Sequence, residues 1–244
     1  MDLIPDHRAL FGVDVIGSAS NAGYHLDDIP RAVEDMLSIA LRSSGIDFSE
    51  VVHWERTGDG ALLTLPSRDL GALLDAAQRL DLIAAQRNRR YNPVVRLRIA
   101  VEVGPVGAGP GYFQPKIAVN RLLDSAEFKQ LVARCREEAP ADAVNTALIV
   151  SDQVLRTVFG GDHVSLVRRE EFAQLAVSNK EHADTAWTRI PGFDARTLGV
   201  FATPEPEPPA APEPQAGQVT NVSYGPMNGV QTHTVHGGIN FGSR

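Results

Sequence analysis

The chain has 244 residues, of which 43% are hydrophobic and 22% charged, so it can bury a sizeable core. Its 30 acidic and 23 basic side chains leave a net charge of −7, which argues against a dedicated nucleic-acid binder. A single cysteine, Cys135, excludes a disulfide framework and a cysteine zinc site. No apolar run approaches the ~20 residues of a membrane span, and residues 1–12 lack the basic-then-apolar order of a signal peptide. The expectation is a cytoplasmic protein with no membrane and no nucleic-acid partner.

Residues 9–17 (ALFGVDVIG) are apolar and β-rich and predict a buried strand. Asp28-Ile29-Pro30 marks a helix start; Val33, Met36, Leu37, Ala40 and Leu41 recur at helical spacing, and Gly45 ends the pattern. Short apolar runs at 51–54 and 61–65 flank Thr57-Gly58-Asp59-Gly60, a hairpin turn signal. Ser67 is placed to cap a second helix carrying Leu70, Leu73, Leu74, Ala77, Leu80 and Ile83. Residues 94–103 (VVRLRIAVEV) form the clearest strand, and 104–111 a Gly/Pro loop. Residues 116–135 read as helix with a break at Asp124-Ser125. A strand at 147–150, a short helix at 152–159 and a closing hairpin at 173–177 and 185–190 complete the domain. This order is ferredoxin-like (βαββαβ) at first, then α-β-β. It predicts an α+β fold with helices on one face of a largely antiparallel sheet.

Composition changes near residue 203. TPEPEPPAAPEP (203–214) has six prolines and reads as a semi-rigid, solvated spacer. The predicted division is a domain over 1–199, a Pro/Glu-rich linker over 200–217 and a tail over 218–244. The tail's only formal side-chain charge is Arg244. The basic run Arg87-Asn88-Arg89-Arg90 has no aromatic platform and reads as a helix end. His233 and His236 are too sparse for a metal site.

Two acids stand where a sheet can bring them together. Asp14 interrupts an apolar strand, which is costly unless its charge meets a partner, and Asp59 sits at the hairpin tip. Two carboxylates plus substrate phosphates are a usual way to hold Mg²⁺. Taken singly, each acid has an ordinary structural reading: a turn residue and a satisfied strand acid.

In this order the residues resemble the class III nucleotide cyclase catalytic domain. The landmarks are Asp14-Val15-Ile16-Gly17, the hairpin Gly58-Asp59, the strand LRIAVEVG (97–104) and Arg121-Leu122-Leu123-Asp124-Ser125. NTALIVSDQVL (145–155) and NKEHADTAW (179–187) look like closing elements of an actinobacterial branch. The resemblance implies a homodimer with shared sites. Asp14 and Asp59 would hold two Mg²⁺ or Mn²⁺ ions with the NTP substrate. An Asn and an Arg from the partner's helix would orient the ribose and stabilise the transition state. The family spaces that pair four residues apart. With Arg121 as the Arg, the Asn slot holds Ile117; with Asn120 as the Asn, the Arg slot holds Asp124. The first register is preferred for its Arg-Leu run. Glu55, four before Asp59, occupies the base-selecting position and leans toward guanine. Lys180 is the candidate phosphate lysine. The alternative function is a catalytically degenerate cyclase-fold module that binds nucleotide or serves as an adaptor.

The tail resembles actinobacterial amyloid-signalling or RHIM-like motifs through Asn228-Gly229-Val230-Gln231 and Val235-His236-Gly237-Gly238-Ile239. That resemblance implies recruitment of a partner with a matching motif. A tail without such a role is the alternative.

Overall fold

The computed structural model describes residues 5–17, 28–107, 113–161, 163–179 and 182–203. Lys180, the tail and all but the first residues of the Pro-rich linker lie outside them. The elements, in chain order, are β1 (His7–Val15), α1 (Asp28–Ser43), β2 (His53–Thr57), β3 (Gly60–Pro66), α2 (Leu70–Asn88) and β4 (Leu97–Pro105). They continue with α3 (Gln114–Asp124), α4 (Ala126–Glu138), β5 (Thr146–Ser151), α5 (Asp152–Gly160), β6 (Ala173–Asn179), β7 (His182–Arg189) and α6 (Ala195–Ala202). The strands form a seven-stranded sheet in the order β2-β3-β1-β4-β5-β7-β6. β4 and β5 run parallel; the other pairs are antiparallel. The expected α+β class and ferredoxin-like start are present.

Helices cover both faces of the sheet, not one. Ala9, Phe11, Val13 and Val15 of β1 point into a core shared with α1, α2 and α5. Leu10, with Ala100 of β4 and Ile149 of β5, points into a second core with α3, α4 and α6. The central strands are apolar on alternate residues of both faces, so both faces need a cover. α1 buries Ile29, Val33, Met36, Leu37, Ala40 and Leu41, the expected stripe. It ends where Gly45 takes φ +81° and the Ile46 N–H reaches back to the Leu41 carbonyl at 3.0 Å.

Ser67 does not cap α2. It opens a 3-10 turn (Ser67–Asp69) that feeds into the helix, and the N-cap position is Asp69, without a side-chain cap bond. The expected break at 124–125 is real and separates α3 from α4. The basic run after Arg87 is a helix end, tied down by Arg87 Nη1 donating to the Pro93 carbonyl at 2.6 Å.

α3 is laid across the sheet by two glycines. A Cβ on Gly104 would stand 2.6 Å from Pro115 Cγ, and one on Gly12 would stand 2.4 Å from Val119 Cγ1 and 3.1 Å from Leu123 Cδ1. The helix therefore starts over β4 and ends over the part of β1 that leads to Asp14.

Candidate active site

Asp14 sits one residue from the end of β1, on the α3 face of the sheet. Its cross-strand partner is Arg98 of β4. The guanidinium donates to the Asp14 carboxylate, so the strand acid has the charged partner its burial demands. Burial nevertheless holds the Asp14 carboxyl above the usual carboxylate range. Arg98 pulls it down, and the charges of Asp59 and Asp124 push it up further.

Asp59 is brought there by the β2–β3 hairpin. Val13 pairs with Ala61 across β1 and β3. Gly60 lies so close that a Cβ would stand 2.1 Å from the Val13 carbonyl oxygen. Among the two central turn residues, Gly58 takes positive φ (+73°) and Asp59 does not, as in a type II′ turn. The turn thus rests on the backbone beside Asp14, and the two carboxylates feel each other's charge. Asp124, at the end of α3, joins the same group and accepts a hydrogen bond from Lys129 Nζ at 2.8 Å. Among the described residues, no three His, Cys, Asp or Glu side chains are grouped closely enough to hold a metal ion.

Glu55 faces the helix side of edge strand β2 and accepts from the ammonium of Lys116 in the first turns of α3. The Lys116 side chain is 9% exposed and that of Glu55 43%. The position expected to select the base thus holds an acid and an ammonium side by side, not an acid alone.

Asn120 and Arg121 are exposed on α3. Arg121 lies in the wall of a cavity with Glu102, Ser151, Asp184 and their neighbours, a lining that includes neither Asp14 nor Asp59. Within one copy of the chain the two expected metal acids come together, and Arg121, about one helical turn before Asp124, lines the cavity beside them. Lys180 is outside the described residues. Sequence reading missed Arg98, Lys116 and Asp124 as neighbours of these groups. The alternation of LRIAVEV puts Arg98 and Glu102 on one face, but which residue of β1 each opposes depends on register.

No protein-family model matches the chain, and no curated protein matches it. Solved structures do. A bacterial light-regulated adenylyl cyclase aligns with TM-score 0.52 and 10% identity, over 81% of this chain and 56% of that one. The catalytic core of a rhodopsin-guanylyl cyclase with converted specificity, in complex with ATPαS, aligns with TM-score 0.50 and 13% identity, over 76% and 96%. The guanylate cyclase domain of RhGC from Catenaria anguillulae, in complex with GTP, aligns with TM-score 0.50 and 12% identity, over 78% and 98%. The chain has the fold of adenylate and guanylate cyclase catalytic domains.

Proposed function

We propose that the chain is a nucleotide cyclase, converting an NTP to a 3′,5′-cyclic nucleotide and pyrophosphate at sites shared by two copies of itself. The observation that carries this reading is the seating of the Asp59 turn on the backbone beside Asp14, at one end of a cyclase-type sheet. Their donor set fits a divalent cation: hard carboxylate oxygens, in a partly buried place where neighbouring acids make positive charge welcome. Asp14 and Asp59 would hold Mg²⁺ or Mn²⁺, two ions in the full site, with Arg98 as the countercharge when the metal is away. Bound metal supplies neutralisation of the triphosphate.

The remaining work falls to side chains. Arg121 of the second copy stabilises charge developing on the transferring phosphorus, with Ile117 in the slot one turn before it; in the other register Asn120 serves the ribose. Glu55, with Lys116 beside it, reads a base edge that carries an N–H donor, such as guanine's. Lys180 holds phosphate. The homodimer is part of this reading; it is supported by a cavity around Arg121 whose lining includes neither Asp14 nor Asp59.

A second reading, nucleotide binding without turnover, is favoured by two observations. The Arg98 guanidinium already occupies the Asp14 carboxylate, and Ile117 fills the slot four residues before Arg121. Incubating the full chain with each NTP and Mn²⁺ or Mg²⁺, and weighing the product, separates the two. Cyclic product, GTP first, is expected, with Asp14→Asn lowering the rate by about 100-fold. Bound but unconverted nucleotide in every combination supports the second reading.

The tail at 218–244 belongs to the same proposal as a recruitment segment. Its β-branched and amide residues, free of charge before Arg244, favour pairing with a like motif. Thioflavin-positive assemblies of the full chain are expected, and Val230→Pro is expected to suppress them by removing a backbone donor. A wild-type chain that stays monomeric when seeded contradicts this role.

A further inference from the structure

The cavity that holds Arg121 has a chemistry of its own. It measures about 480 Å³, within the range of small-molecule sites. α3 contributes Ala118, Arg121 and Leu122, and β4 contributes Glu102. The junction of β5 and α5 contributes Ser151, Asp152 and Gln153. The β6–β7 hairpin contributes Val177, Asp184 and Thr185.

Glu102 is its floor. The residue is 8% exposed, in mid-sheet, where an acid is expensive. One carboxylate oxygen, Oε1, accepts from Ser151 Oγ at 2.7 Å and from the Val103 N–H at 2.8 Å. Among the described residues Oε2 takes no hydrogen bond, and it is not sealed from the cavity. The wall charge that acts on Glu102 is a second acid, Asp184. The third acid, Asp152, is already engaged: Oδ1 accepts from Trp187 Nε1 at 3.1 Å and Oδ2 pairs with Arg156 at 2.7 Å. Glu102 and Asp184 are thus two carboxylates facing one space, with no cation of the described chain paired to either.

We propose that this cavity binds a short aliphatic amine, its ammonium on Glu102 and Ser151 and a second ammonium reaching Asp184. The volume is too large for a bare ion. Ala118, Leu122 and Val177 offer an apolar wall for methylenes. An ammonium on a buried carboxylate is a charge-assisted hydrogen bond, among the stronger polar contacts available. The inference concerns binding alone; in the proposed dimer Arg121 of this wall serves the other copy's site, so the amine is titrated in the absence of NTP.

The test is calorimetric titration of the full chain with 1,4-diaminobutane, with butylamine as the single-charge comparison. One site per chain is expected, with butylamine weaker. Glu102→Gln keeps the shape and the Ser151 and Val103 donors, and is expected to weaken binding at least about tenfold. Asp184→Asn is exposed and leaves the core alone. It is expected to weaken the diamine several-fold and butylamine little. A melting curve confirms that each variant is folded, and Asp184→Asn decides if Glu102→Gln is not. No binding up to roughly 10 mM amine, a free energy weaker than about −3 kcal/mol, overturns the proposal. So does binding at several sites that both folded variants leave unchanged, which is the signature of nonspecific attraction to a chain of net charge −7.

Discussion

Glu102 shows most plainly how a single side chain can be held against its own solvation. Burial pushes its carboxyl above the usual range; the Ser151 and Val103 donors oppose this, and Asp184 adds to it. A carboxyl raised in the folded state stabilises the fold only while it is protonated. That stability is full below the unfolded value and is lost as pH rises through the folded value. Asp184 of β7, Asp152 of α5 and Arg121 of α3 are the other charged groups around the cavity. At neutral pH Glu102 is therefore a net cost. Glu102→Gln is expected to raise the melting temperature at pH 7.5 and to flatten its decline between pH 4 and 8 relative to wild type. A lower melting temperature at neutral pH contradicts the assignment. Of the residues discussed, Asp14 and Asp59 were legible in the sequence, because an acid in an apolar strand and a GDG turn are both visible without neighbours. Arg98, Lys116 and Glu102 were not: their roles depend on which strand and helix lie opposite, information that resides in register and crossing.

At the scale of elements, α3 is the part on which the geometry depends. It carries Lys116 toward Glu55, Arg121 toward the cavity and Asp124 toward Asp14. Its close seat needs Gly12 and Gly104, which leave room for Val119 and Pro115. Gly12→Val is expected to cost about 1–3 kcal/mol through overpacking, measured as a lower urea midpoint. Gly199, in α6, has nothing within 4 Å of an added Cβ, so Gly199→Ala serves as the comparison and is expected to be neutral or stabilising. Equal losses in both contradict the close-packed crossing. The long helices and the 124–125 break were readable from apolar periodicity. The second helical layer was not, since a strand buried on both faces reads as a continuous apolar run and does not say how many layers cover it. α6 (ARTLGVFA) was missed for its shortness and its glycine; in the structure Asp194 caps it, accepting from the Thr197 N–H at 2.8 Å.

At the scale of the whole molecule, the groups proposed for catalysis fall into two sets on one chain: Asp14 with Asp59, and Arg121 in a cavity whose lining includes neither acid. In the proposed dimer each copy gives the other's site its Arg121. The most direct measurement is complementation. Asp14→Asn and Arg121→Ala chains are prepared separately, each expected to be inactive, and then mixed in equal amounts with NTP and Mn²⁺. Random pairing places half of the pairs as mixed dimers with one intact site of two, so about a quarter of wild-type activity is expected to return. Recovery that fades on dilution supports the shared site. If the wild type is active and mixing restores nothing, the sites are not shared between copies and the central claim fails.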